Sequence, residues 1–115
     1  MILLISAISG FLAVGLGAFG AHALSDGFDE KAAGWWDTAT LYLLVHAALA
    51  TALAATDGAK FGLAAAILVA GALLFAATLY AMALGAPRWF GAITPIGGLG
   101  MLAGWALIAY AALKP

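Results

Sequence analysis

The chain has no cysteine and very little charge. The first absence removes disulfides, thiolate metal sites and Cys nucleophiles. Charged residues make up 8% of its 115 positions, against roughly 25% in soluble domains, too few to clothe a soluble protein of this size. Four Lys and Arg against five Asp and Glu form no basic cluster, which removes nucleic acid as a partner. Only two histidines occur, without HxxxH or HExxH spacing, so no metal site and no cofactor is expected. What fills the chain instead is apolar: 67% hydrophobic residues and a mean hydropathy of +1.16. That is the composition of an integral membrane protein.

Turn residues and charges cut residues 1–115 into four apolar segments within a single membrane domain, about 2–24, 35–55, 61–84 and 95–113. Each approaches the ~20 residues a helix needs to cross the hydrocarbon core. The links SDGFDEKAAG, TDGAK and GAPRWFGAIT carry the Gly, Pro and charges of turns. Short links make neighbouring helices antiparallel, so the expected fold is an all-α, antiparallel four-transmembrane-helix bundle. Trp35, Trp36 and Trp89 stand at span ends, where interfacial anchors belong. The first segment has no preceding Lys or Arg and is longer than a usual signal-peptide core, so it reads as a retained span. Lys60 and Lys114 fall on the side of the N-terminus and Lys31 and Arg88 on the other, a tie under the positive-inside rule. Asp26, Asp29, Glu30 and Asp37 crowd the second side, but acids contribute little to that rule; the expectation is that both termini are cytoplasmic.

Small residues keep a helical beat along the first span: Ser6, Gly10, Ala13, Gly17 and Gly20. Each Gly costs a helix roughly 1 kcal/mol against Ala in water, but in a bilayer small residues let backbones approach closely. Gly97, Gly100 and Gly104 form a second such seam in the last span. The GxGxxG of residues 15–20 follows no strand and belongs to packing. Thr94-Pro95 reads as a hydroxyl cap with Pro at the first helical position, and Ser25 or Asp26 as the cap of a turn into the second span.

Antiparallel topology gathers polar side chains at one end: His22, Asp37, Tyr80, Arg88, Trp89 and Thr94. Asp37 and His46 lie on opposite faces of their helix at about 100° per residue, whereas Tyr42 and His46 share one. His22 points away from the glycine seam, and its depth allows a contact with Asp37; Asp37–Arg88 is the other allowed pair. His46, about 15 Å below Trp36 along the helix, sits near the midplane. A polar group there is costly and needs a partner, such as Thr78 or a backbone carbonyl. Arg88-Trp89 reads as an interfacial anchor or an anionic-lipid contact.

The blocks ISGFLAVGLGAFGAHAL, WDTATLYLLVHA, LFAATLYAMAL and RWFGAITPIGGLGMLAGWALI, spanning almost the whole chain in order, resemble the domain of unknown function 423 family. These are small bacterial inner-membrane proteins related to the eukaryotic transmembrane protein 256 group. The resemblance implies a four-span, multi-pass inner-membrane protein with no established activity. The family's characteristic positions fall at Gly17, Gly20, His22, Tyr42, His46, Tyr80, Trp89, Thr94, Pro95, Gly97, Gly98, Gly104 and Trp105. Relatives often read FSGSLY where this chain has FAATLY, and Asp37 stands at a variable position, which shifts weight to His22, Tyr42 and His46.

Three functions follow as expectations. The first is a non-enzymatic module that binds membrane lipid, a small apolar ligand, or a partner membrane protein or second copy. The second is a proton or small-ion transporter component using His46. The third is a membrane-embedded enzyme built on His22 with Asp37 or Tyr80, which lacks a recognisable Ser or Cys nucleophile.

Overall fold

A computed structural model describes residues 1–114, apart from the side chains of Ala23 and Ser25. Three long helices carry the chain: α1 (Ile2–Phe19), α2 (Glu30–Ala83) and α3 (Thr94–Leu113). All three are long and apolar enough to cross a membrane, and no strand occurs among the described residues.

The four separate helices expected from the sequence are not what is observed, because TDGAK does not unwind. The second and third expected spans share one 54-residue helix in which Asp57 alone leaves helical geometry (φ −152°, ψ 74°). A straight helix of that length would run about 81 Å at 1.5 Å per residue, yet the molecule's longest dimension is 51 Å. The chain doubles back at Asp57 instead, and its arms 30–56 and 58–83 lie side by side. Thr40 Oγ1 reaches Tyr80 OH at 2.7 Å, and Ala50 packs with Ala65 and Val69. Asp57 permits this reversal because it behaves as an N-cap: its Oδ1 accepts the Lys60 N–H at 3.1 Å, restarting the helix within one residue.

The connection between α1 and α2 also differs in detail from expectation. α1 gives way to a π-type turn, Gly20–Leu24, and a short 3₁₀ turn, Ser25–Gly27. Asp29, rather than Asp26, caps α2, accepting the Ala32 N–H at 2.7 Å. The Ser25 hydroxyl lies outside the described side chains. Glu30 therefore starts α2 a turn ahead of the expected Trp35. Before α3, a 3₁₀ turn covers Arg88–Ala92. Thr94 makes no cap hydrogen bond; it is the first residue of α3, with Pro95 following at a position that tolerates its missing N–H.

The core is built from small residues. Ser6, Ser9 and Ala13 of α1 are buried, as are Ala39, Leu43 and Ala47 of α2; Ala13 clusters with Ala39 and Leu43. α2 contacts both other long helices, so its doubled arms form the centre of the molecule. The closest approach joins arm 58–83 to α3. A Cβ on Gly71 would stand 2.8 Å from both the Gly97 carbonyl oxygen and the Met101 nitrogen; one on Gly97 would come within 2.5 Å of the Phe75 nitrogen. Two backbones can cross this closely only where neither residue carries a side chain.

Candidate functional site

His46, 5% exposed, is the buried imidazole of the molecule and stands on the arm 30–56. Both ring nitrogens are occupied. Nδ1 lies 2.7 Å from the Tyr42 carbonyl one turn earlier on the same helix, and Nε2 accepts the Trp105 indole N–H from α3 at 3.0 Å. A carbonyl can only accept and an indole N–H can only donate. The pair therefore specifies the Nδ1–H tautomer and leaves no ring nitrogen free. The imidazole stacks nearly parallel to Tyr42 (ring centroids 6.0 Å, 11°) and edge-on to Trp105 (6.0 Å, 83°). Tyr42 also meets Phe75 of the other arm at 5.0 Å. Thr78, expected as a possible His46 partner, is engaged elsewhere: its hydroxyl pairs with Thr94 Oγ1 at 2.7 Å and with the Phe75 carbonyl at 2.9 Å.

Trp36 departs from its expected role. Instead of anchoring the interface it is 4% exposed, donates from Nε1 to the Leu16 carbonyl of α1 at 2.7 Å, and meets Tyr80 edge-on at 4.5 Å. Gly20 makes this possible, since a Cβ there would overlap the indole. Gly17 stands one turn earlier, where a Cβ would come within 2.9 Å of Thr40 Cγ2, and Gly10 faces Ala47. In α3, Gly97 and Gly100 line the crossing with Gly71, and a Cβ on Gly104 would run into Leu68. Thus both glycine seams face helices of the same chain.

The polar residues gathered at the far end do not converge. His22 and Asp37 are both exposed, as is Arg88, and among the described residues no ion pair forms. Asp37 lies on a cleft of about 250 Å³ with Gly20, Ala21 and Trp36. Arg88 lies on a different one of about 360 Å³, beside Asp29, Lys31 and Trp35. Tyr80 turns inward to Thr40 and Trp36, and Trp89 packs on Phe90 at 4.6 Å while 63% exposed. Neither His22–Asp37 nor Asp37–Arg88 is brought into contact, which leaves this end without an acid–base pair. Among the described residues no three His, Asp or Glu side chains gather as metal ligands.

Two residues that matter to this geometry were not singled out as site candidates from the sequence. Trp105, the donor to His46, stands at a predicted span centre where a Trp is unusual; an indole N–H at that depth signals a buried acceptor. Gly71 is the counterpart of Gly97, and its sequence surroundings, VAGALL, hold no small-xxx-small spacing with another glycine.

A groove of about 570 Å³, wider than these clefts, lies elsewhere, on the flank between α1 and arm 30–56. Ala7, Gly10, Val14, Leu44 and Ala48 line it, with Thr51 as its only side chain able to hydrogen-bond. Thr51 donates to the Ala47 carbonyl at 2.7 Å.

Known proteins similar to this chain are named as membrane proteins. A "UPF0382 membrane protein" of Haemophilus influenzae is 45% identical, over 94% of this chain and 90% of its own length. The "UPF0382 inner membrane protein YgdD" of Escherichia coli K12 is 39% identical over 97% of this chain and 88% of its own length. A "UPF0382 membrane protein" of Staphylococcus epidermidis is 36% identical over 97% and 94%. No solved structure matches the chain. The family described as "Protein of unknown function (DUF423)" matches residues 16–98, from the end of the first glycine seam to the start of the second and including His46 and the Asp57 reversal, and the chain belongs to that family.

Proposed function

We propose that this chain is a non-enzymatic inner-membrane protein that crosses the bilayer four times and holds a lipid acyl chain against its flank. The fourfold crossing is supported by the reversal at Asp57: the arms 30–56 and 58–83 each exceed the ~20 residues of a span. Both chain termini and the Asp57 turn then share one face of the membrane. The observation that carries the lipid reading is the groove between α1 and arm 30–56. Its floor is made of Gly and Ala, and its one hydroxyl, on Thr51, is already spent on its own helix. Such a surface offers an occupant dispersion contacts and no hydrogen bond, which suits an acyl chain.

A proton relay through His46 fits the geometry less well. Carrying a proton requires Nε2 to release the Trp105 N–H, and no second acceptor for that indole is described. Reconstituted vesicles with a pH gradient separate the readings: a flux abolished by His46→Leu would favour the relay.

Native mass spectrometry of protein released from lipid nanodiscs tests the lipid reading. Retained phospholipid is expected, with fewer copies in Ala48→Phe, whose ring fills the groove. Protein that carries no lipid would overturn it.

A further inference from the structure

A second cleft lies at the opposite end of the molecule from Arg88, between the start of arm 58–83 and the end of α3, with a volume of about 390 Å³. Its walls are apolar, from Leu63, Ala64, Leu107 and Ala111, and its rim carries Lys60, Lys114 and Tyr110. These two lysines are half of the four basic residues in the whole chain. They converge from positions 54 apart in sequence because the reversal at Asp57 brings the start of one arm beside the end of α3. Each ammonium is steadied by an aromatic face: Lys114 Nζ lies 4.5 Å from the Tyr110 ring centroid and Lys60 Nζ 5.5 Å from that of Phe61. Among the described residues no acidic side chain lines the cleft. Asp57, the nearby carboxylate, is directed to the Lys60 backbone N–H, where it caps the helix.

From this we infer that the Lys60–Lys114 cleft is a headgroup site for an anionic phospholipid, with the phosphate between the two ammoniums and the acyl chains running down the Leu63–Leu107 wall. The occupant follows from charge and depth together. The rim is cationic, and the walls become apolar over the length of a lysine side chain, the layering of a phospholipid seen from headgroup to tail. A soluble anion would satisfy the rim and leave the apolar wall unused; a zwitterionic lipid would bring its own cation against the lysines. Tyr110 adds a hydroxyl at interfacial depth. This proposal rests on the lipid-binding reading above and adds to it the class of lipid and the place of its headgroup.

The test uses the full-length protein in nanodiscs of equimolar phosphatidylglycerol and phosphatidylcholine, released and weighed by native mass spectrometry. A lysine near the membrane surface is worth about fivefold in affinity for anionic lipid, so the pair gives an enrichment of between about fivefold and thirtyfold, according to salt. K60Q/K114Q is expected to bring the ratio of retained lipids to about one, K60R/K114R to keep the enrichment, and K31Q, at the other end, to leave it unchanged. All these side chains are exposed, and circular dichroism checks that the variants fold. Retention of both lipids at equal levels by the unaltered protein would overturn the headgroup site while leaving the acyl-chain reading standing. Retention of no lipid would overturn both. An enrichment that survives K60Q/K114Q would place the anionic site elsewhere and also refute the proposal.

Discussion

Gly97 and Gly98 are neighbours in α3, and the structure gives their alanine variants opposite signs. A Cβ on Gly97 would stand 2.5 Å from the Phe75 nitrogen, 2.6 Å from the Gly71 carbonyl oxygen and 2.9 Å from the Phe75 Cα, whereas one on Gly98 meets nothing within 4 Å. The atoms facing Gly97 are all backbone, so no rotamer change can relieve the contact. α3 must move away from arm 58–83 by most of an ångström, and the separation extends to its neighbours: Gly71 against Gly100, and Leu68 against Gly104. Overpacking of this kind costs about 1–3 kcal/mol where side chains can yield, and the upper end or more is expected here. Gly98→Ala instead gains up to about 1 kcal/mol from the helix preference of Ala. The two variants should therefore differ by about 3–4 kcal/mol, or more than a hundredfold in the folding equilibrium.

Unfolding in mixed micelles by added sodium dodecyl sulfate, followed by Trp fluorescence, measures that difference. Gly71→Ala should resemble Gly97→Ala, and the double variant should cost clearly less than their sum, because the helices need to part only once. Equal shifts for Gly97→Ala and Gly98→Ala, or full additivity of Gly71→Ala with Gly97→Ala, would show that these backbones do not cross at Gly71 and Gly97.

Three further outcomes follow from the hydrogen bonds and the first seam. A double-mutant cycle of His46→Leu with Trp105→Phe should give a coupling of about 0.6–1.7 kcal/mol, the range of bonds between membrane helices, read by the same micelle titration; additivity would mean that the pair is not formed. Thr78→Val and Thr94→Val should each cost under about 1 kcal/mol, since the remaining hydroxyl keeps a carbonyl of its own segment, Phe75 or Phe90; a loss of several kcal/mol would contradict that arrangement. Gly20→Ala should destabilise by about 1–3 kcal/mol through displacement of Trp36, while Gly15→Ala, with open space at its Cβ, should not. Thermal melts in detergent that rank the two variants the other way would refute the Gly20–Trp36 contact.

Depth along the helices was legible in the sequence, and direction around them was only partly so. The beat from Ser6 to Gly20 identifies a packed face because periodicity fixes direction within one helix. His22, Asp37, Tyr80 and Arg88 are grouped by their positions along the spans, yet Tyr80 turns inward and the other three are exposed, since nothing in one strand of sequence sets the rotation of one helix against another. Trp36 shows the same limit. At a span end an indole reads as an interfacial anchor, and only the pairing with Gly20, 16 positions earlier, reveals the space that takes it inside. His46 announced its need for a partner, but Trp105 lies 59 positions away, beyond two reversals of the chain. TDGAK looked like a loop because Asp and Gly mark turns; the backbone reverses there by spending a single residue, with Asp57 ending one arm and capping the next.

These contacts divide the labour of holding the bundle together. Lipid tails are as apolar as the side chains facing them, so apolar burial alone gives membrane helices little reason to associate. The contacts that remain are close backbone packing and hydrogen bonds, and the two ends of the chain use them in different proportion. α3 is fastened to arm 58–83 chiefly by the Gly71–Gly97–Gly100 crossing, with Thr78–Thr94 at its edge. α1 meets arm 30–56 across small residues with wider spacing, as Gly10 and Ala47 show, and the Trp36–Leu16 bond ties only its far end. The groove opens above that tie, where α1 is held least. Loss of the Trp36 indole N–H should therefore loosen α1 first and alter acyl-chain retention there, while the His46–Trp105 bond and the Lys60–Lys114 cleft, both set by α2 and α3, keep their geometry. Hydrogen exchange of Trp36→Phe that rises evenly over all three helices, instead of first in α1, would contradict this division.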